Sequence, residues 1–300
     1  MPYLLGNNKI VNRENRRVEG ELSYIDDEEY YLIRNVDMMA PFFTTIVSDS
    51  DHWLYLSSNG GITGGRRNPE NSIFPYYTDD KIIDFAPVTG HKAILKIQRG
   101  QDRYLWEPFS DTHLLIYNIE RNIYKSVSGN SILFEERNID LGISYKYFWY
   151  TSERFGLIKK CILSNNSSEL LKIEVLDGLI NVLPSGVDQS MQINYSTLVD
   201  AYKKTELERS SGIGIFRLAS IPSDQTKPAE SLISNTIWSV GLPDPGYLLS
   251  TKQLDAFISG KDLIYETESK GVKGSYLVNS KFELHQSDIK SWYFALEVEQ

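Results

Sequence analysis

The sequence is poor in the residues that most readily commit a chain to a known chemistry. It holds one cysteine, Cys161, in 300 residues. That excludes an internal disulfide framework and a cysteine-based metal site. Cys161 lies in the apolar run LIKKCIL and reads as a small buried hydrophobe. The four histidines, His52, His91, His113 and His285, fall in no catalytic signature, and there is no G-x-S-x-G elbow. No apolar run approaches the roughly 20 residues that cross a bilayer, so no membrane partner is expected. The start, MPYLLGNNKIVNRENRR, lacks a basic stretch followed by a long apolar one, and a cytoplasmic location is expected. A basic block is missing too. The net charge of -9 argues against a phosphate backbone, so no nucleic-acid partner is expected.

What is present is a β-rich alternation. Hydrophobic residues make up 41%, enough for a sizeable core, and the 19 tyrosines and 5 tryptophans suit strands. Trp53-Leu54-Tyr55-Leu56, the stretch 93–97, Arg103-Tyr104-Leu105-Trp106, the stretch 143–148 and the stretch 292–298 alternate with period two. Gly, Asn, Asp and Pro separate them at about ten-residue spacing, the pattern of an antiparallel sandwich or barrel. The segment 157–183 reads as a hairpin: strand 157–163, an Asn-Ser turn at 164–168, and a returning strand 169–177. Residues 195–209 fit a helix capped by Ser196 or a hairpin turning at Ser210-Ser211-Gly212 about equally well. The stretch 222–230, with two prolines, is a loop, and 251–260 is a short helix. No repeat or linker divides the chain, so residues 1–300 are expected to form a single domain.

The densest polar information lies in 52–81, HWLYLSSNGGITGGRRNPENSIFPYYTDDK. Gly60, Gly61, Gly64 and Gly65 allow close approach of a partner. Arg66 and Arg67 offer forked donors, and Asn59 and Asn68 offer both donors and acceptors. Trp53, Tyr76 and Tyr77 are flat surfaces, and Asp79 accepts hydrogen bonds. Planar rings beside short polar groups suit a sugar, with its apolar face and rim of hydroxyls. The same loop equally suits packing against another domain. It is no nucleotide fingerprint, because GGITGG has neither the G-x-G-x-x-G order nor a Walker lysine. Asp49-Ser50-Asp51-His52 has too few ligands for calcium or zinc, so no metal and no cofactor are expected. Forty acidic residues offer many carboxylate pairs, and none can be singled out as a glycosidase pair. A histidine and a carboxylate in a groove would suffice for mutarotase-type acid–base work.

Several stretches together resemble the N-terminal domain of the cellobiose/chitobiose phosphorylase family. The residues that carry the likeness are Ser58-Asn59-Gly60-Gly61-Ile62-Thr63-Gly64-Gly65-Arg66-Arg67-Asn68-Pro69, then Phe74-Pro75-Tyr76-Tyr77-Thr78-Asp79-Asp80, then Trp106-Glu107-Pro108. The family's S-E-N-S-R-E-N order is not kept, which leaves the substrate open. The resemblance implies an all-β, two-sheet antiparallel supersandwich of galactose-mutarotase-like topology with few short helices. It implies a non-catalytic domain that borders a sugar site and packs on a C-terminal helical barrel, in an enzyme acting by phosphorolysis or hydrolysis. No catalytic residue carries over. Carbohydrate and that barrel are the expected partners, with a homodimer left open. A stand-alone carbohydrate-binding module and a mutarotase-like epimerase are the alternatives. Trp53, Asn59, Arg66, Arg67, Asn68, Tyr76, Tyr77 and Asp79 are the expected sugar-binding or domain-packing residues.

Overall fold

The period-two stretches become strands. A computed structural model describes residues 6, 16–75, 79–220 and 233–299. In chain order the first strands are β1 (Glu19–Ile25), β2 (Glu28–Arg34), β3 (Phe43–Ile46), β4 (His52–Ser57) and β5 (Ile62–Arg66). The short helix α1 (Asp79–Phe85) runs into a 3-10 turn, Ala86–Val88, and then come β6 (Gly90–Arg99) and β7 (Asp102–Trp106). After α2 (Asp111–Leu114) follow β8 (Ile119–Ser126), β9 (Ser131–Asn138), β10 (Ile143–Ser152), β11 (Gly156–Asn165) and β12 (Leu171–Val182). Helix α3 (Gln189–Tyr195) precedes β13 (Lys203–Glu208), β14 (Ile213–Leu218), β15 (Asn235–Val240) and β16 (Gly246–Leu248). Helix α4 (Leu254–Ile258), β17 (Glu268–Lys270), β18 (Gly274–Leu284) and β19 (Ile289–Glu297) complete the order.

The strands pair antiparallel. One sheet has eleven strands in the order β1-β2-β8-β9-β10-β11-β19-β15-β14-β13-β17. A second has five, β16-β18-β12-β6-β7, and a third has three, β3-β4-β5. The expected all-β antiparallel architecture is what the chain adopts, with its smaller layer split into two sheets. Leu54, Leu56 and Ile62 of the three-stranded sheet share one buried cluster with Leu95, Val175 and Val278 of the five-stranded sheet. Tyr145, Trp149 and Phe294 of the large sheet belong to the same cluster. Both small sheets therefore cover the inner face of the large one. Cys161 is free and fully buried in that cluster, as its apolar surroundings suggest.

The expected hairpin at 157–183 needs correcting. Both strands exist, but β11 pairs with β10 and β19, while β12 pairs with β6 and β18. The chain turns a corner between layers instead of folding back in one plane. Asn165, fully buried, donates to the carbonyls of Glu169, Leu284 and His285 and so fixes that corner. A strand–turn–strand pattern looks the same locally in either case, because both strands bury an alternate face. The ambiguous segment combines its two readings. A 3-10 turn, Ser196–Tyr202, leads into β13, which forms a hairpin with β14 through the turn at 209–212. The expected helix near 251–260 is α4, and the expected loop at 222–230 lies outside the described residues.

Candidate functional site

A cleft of about 270 Å³ opens where the β4–β5 turn meets the loop between β7 and α2. Asn59 and Gly60 line it from the turn, His91 and Lys92 from β6, Glu107 to Ser110 from the loop, Asp111 and Thr112 from α2, and Tyr147 from β10. A second hollow of about 220 Å³ shares Asn59, Phe109 and Asp111 and adds Asp37, Arg121 and Asn122.

The turn reaches the cleft because two glycines let it. Gly60 has φ of 93°, and a Cβ there would stand 3.0 Å from the Tyr147 hydroxyl. A Cβ on Gly61 would lie 2.0 Å from the Ile82 carbonyl, so the turn abuts α1 only as glycine. Asn59 Nδ2 donates to the Ile83 carbonyl at 3.0 Å and Ser57 Oγ donates to Asn59 Oδ1 at 2.5 Å.

The opposite wall is fixed by buried ionic chemistry. Arg121 and Glu136 face each other across β8 and β9, with Arg121 Nε 2.7 Å from Glu136 Oε2. Glu136 is fully buried and accepts further bonds from Trp106 Nε1 at 2.9 Å and Phe109 N at 2.7 Å. A buried carboxylate needs this saturation, since each unpaired charge in the interior is costly. Arg121 continues outward, donating to the Ser110 carbonyl and to Asp111 Oδ1, each at 2.9 Å. The loop is thereby held from beneath, and Phe109 sits in the left-handed region with φ of 64°, a strained position for an aromatic residue. Glu107 N donates to His113 Nδ1, and Lys92 pairs with Glu107 at the rim.

His91 forms part of the floor. Its ring stacks on Tyr147 at 4.2 Å between centroids and on Tyr145 at 5.6 Å, with Phe109 edge-on at 5.9 Å. The side chain is only 7% exposed, and neither ring nitrogen has a hydrogen-bond partner among the described residues. Asp177 Oδ1 lies 3.8 Å from Nδ1, too far for a hydrogen bond. Burial, reinforced by Lys159 and Lys92, holds the imidazole well below its usual range, so it is neutral near pH 7. Burial likewise pushes the Tyr147 hydroxyl well above its ordinary value, leaving it a neutral hydrogen-bonding group.

The residues singled out in the sequence separate into three groups. Asn59 borders the cleft. Trp53, Arg66, Arg67 and Asn68 lie at the other end of the β4–β5 hairpin, roughly 17 Å away at about 3.3 Å per strand residue. There the polar groups bond one another. Arg66 Nε and Arg67 Nε donate to the two oxygens of Asp51 at 2.8 and 3.0 Å, and Trp53 Nε1 donates to the Asn68 carbonyl at 3.2 Å. Asp51 is held below the usual carboxylate range, chiefly by Arg66. His52 accordingly belongs to a structural corner, with Nδ1 2.8 Å from Ser50 Oγ. Asp79 begins α1, and Tyr76 and Tyr77 lie outside the described residues. Sequence reasoning missed His91, Lys92, Phe109, Asp111 and Arg121 as a group. Trp106-Glu107-Pro108 was the one signal pointing to this wall.

No family model matches the chain, and no curated protein sequence does. Among solved structures it is similar to a bacterial glucoamylase complexed with acarbose, at 10% identity and a TM-score of 0.47 over 98% of this chain. The chain spans about a third of that protein, 35% of its length. It is also similar to a galactose mutarotase-like protein from Lactobacillus casei ATCC 334, at 9% identity and a TM-score of 0.43, covering 86% of this chain and 100% of that one. A third is the Slr1438 protein from Synechocystis sp. PCC 6803, at 9% identity and a TM-score of 0.45, covering 87% of this chain and 96% of that one. With TM-scores below 0.5, the functional reading rests on the cleft's own chemistry. Among the described residues no helix is long and apolar enough to cross a membrane.

Proposed function

We propose that the chain is a sugar-binding β domain of a carbohydrate-active enzyme, of glycoside phosphorylase or hydrolase type, non-catalytic by itself. The supporting observation is the ridge formed by α1 and its 3-10 turn. On one side Ala86 and Pro87 border the polar cleft. On the other, Lys81 and Phe85 border a groove of about 330 Å³ that includes the 70%-exposed Ile193. A neighbouring domain seated in the groove would cover exposed apolar surface and close the cleft from above. The cleft offers what a sugar ring needs: Phe109 and Tyr147 as apolar surface, and Lys92, Glu107 and Asp111 for hydroxyls. In sequence, Tyr76, Tyr77 and Asp79 lead into the same ridge, and in this reading Tyr76 and Tyr77 are stacking platforms and Asp79 a polar contact at the edge of the sugar site. Residues 1–300 act as one domain in this reading, with carbohydrate and a helical catalytic domain as partners.

The test is calorimetric titration of mono- and disaccharides into the chain. Saturable binding that weakens at least roughly tenfold in Asp111→Ala supports the reading; binding insensitive to Asp111, Lys92 and Asn59 variants refutes it. The orphaned nitrogens of His91 favour a second reading, mutarotase-like anomer exchange, in which the neutral imidazole takes the anomeric hydroxyl proton as the ring C–O bond opens and Lys92 supplies a proton to the ring oxygen. Anomer exchange that is catalysed by the chain and lost in His91→Gln would replace the first reading with the second.

A further inference from the structure

The outer face of the large sheet, away from the cleft, carries a wider hollow of about 520 Å³. Its aromatic surface is the partly exposed Tyr150 of β10, with Tyr30 of β2 and Phe148 of β10 largely buried beneath it. Tyr30 is locked in place, its hydroxyl 2.9 Å from Glu28 Oε2 and 3.0 Å from Ser131 Oγ. The rim carries three carboxylates, Asp26, Glu28 and Asp49, and one cation, Lys160. Asp26 and Asp49 make no hydrogen bond or ion pair with the described residues and are exposed. Lys160 Nζ stands 5.6 Å over the Phe148 ring and 5.9 Å over the Tyr293 ring.

This arrangement selects a ligand class by elimination. A purely apolar ligand would strip water from the carboxylates without repaying them. An anion would face three carboxylates against one ammonium. A positively charged group, by contrast, would be drawn to the two free carboxylates, although Lys160 already stands over the face of Phe148. A polyol ring meets neither of the first two penalties, since it lays an apolar face on Tyr150 and offers hydroxyl donors to the free carboxylates, which would also accept from an amino substituent. We infer that this hollow is a second carbohydrate site, taking neutral or amino-sugar oligosaccharide chains and discriminating against uronic-acid chains. The inference does not need the cleft to bind sugar, because the two sites lie on opposite faces of the large sheet.

The experiment titrates the chain with cellotetraose, maltotetraose, tetragalacturonate and chitosan tetramer, reading binding calorimetrically and by saturation-transfer NMR. Tyr150→Ala and Asp49→Ala probe the hollow, Tyr150→Phe controls for folding, and Asp111→Ala removes a cleft contact. The expected result is a neutral tetrasaccharide bound about tenfold more weakly in Tyr150→Ala and Asp49→Ala, retained in Tyr150→Phe and in Asp111→Ala. Tetragalacturonate should bind at least roughly tenfold more weakly than the neutral chains, and the chitosan tetramer no more weakly than they do. Binding unaffected by the Tyr150 and Asp49 changes, no binding by any tetramer, or tetragalacturonate binding as tightly as the neutral chains would each overturn the inference. Loss in Tyr150→Ala with no effect of Asp111→Ala supports the hollow and counts against the cleft alone.

Discussion

Lys159 Nζ lies 2.7 Å from Asp177 Oδ1, and neither side chain has any exposed surface. Lys159 comes from β11 of the large sheet and Asp177 from β12 of the five-stranded sheet, so one ion pair joins the two layers. It is well satisfied. Asp177 Oδ2 accepts from Tyr145 Oη at 2.9 Å and Trp292 Nε1 at 2.6 Å, and Lys159 also donates to the Gly178 carbonyl at 3.0 Å. Removing one partner strands the other charge in the interior, at a cost of about 3–5 kcal/mol. Lys159→Met and Asp177→Asn should each lose about that much in urea denaturation. The double variant Lys159→Met with Asp177→Leu should recover a large part of the loss, because its apolar pair leaves no buried charge.

The pair also shows what the sequence could and could not convey. In LIKKCIL two adjacent lysines stand in a strand, and alternation demands that one points inward, but polarity does not say which. Strand positions were legible because residues such as those of β6 and β10 alternate clearly. Sheet membership was not, since a corner between layers and a hairpin share the same local pattern. In the site, Arg121 and Glu136 oppose each other in register, a cross-strand charge pair that a sequence can suggest once the β8–β9 hairpin is placed. Their burial and the loop hung from them depend on Trp106, which ends β7 of another sheet, and on Phe109 in the loop that follows it. Asn59 was legible through its glycines. The Arg66–Asn68 end carries the same composition, and there Arg66 and Arg67 pair with Asp51 at the surface.

The neutral state of His91 has a consequence for acid stability. Burial first, and the nearby Lys159 and Lys92 next, hold its folded-state affinity for a proton far below that of the unfolded chain, whose imidazole titrates near pH 6.5. Asp177 Oδ1, 3.8 Å from Nδ1, stands outside hydrogen-bond reach of the ring. Below about pH 6.5 the unfolded chain takes up a proton that the folded one refuses, so stability is present above that pH and falls as pH drops. The slope from one such group is at most about 1.4 kcal/mol per pH unit. Denaturation midpoints of the parent between pH 5 and 8 should fall on the acid side, and His91→Gln should flatten that fall. Burial also lowers His52 and His113, so a smaller slope should persist.

Gly61 should be intolerant of any side chain for a reason independent of φ. Its Cβ would come within 2.0 Å of the Ile82 carbonyl and 2.6 Å of Ser57 Oγ, and the carbonyl belongs to helix backbone that cannot swing aside. Gly61→Ala should therefore push α1 from the β4–β5 turn, at a cost of about 1–3 kcal/mol. Gly20→Ala is the matched control. It lies in β1, where the nearest atom to a Cβ is 4.0 Å away, and it should cost nothing measurable or add slight stability. Thermal denaturation of the two variants, with amide exchange across residues 79–85, separates a local shift of the ridge from general destabilisation.

Arg121 ties a buried carboxylate to an exposed one, and its two ends should answer differently to the same change. Glu136 has no exposed surface and gathers Trp106, Phe109 and Arg121, whereas Asp111 is 89% exposed and meets only the guanidinium tip. Glu136→Gln turns an amide nitrogen toward at least one of three donors and leaves Arg121 with no buried counter-charge. Stability should fall by about 3–5 kcal/mol, and the 107–110 loop should lose amide-exchange protection with it. Asp111→Asn removes a solvent-exposed contact worth less than about 1 kcal/mol to folding. Its melting curve should match the parent's, while sugar affinity at the cleft drops. Equal stability losses at both ends would mean that Asp111 is a structural strut of the loop, and the cleft would then lose its clearest hydroxyl acceptor.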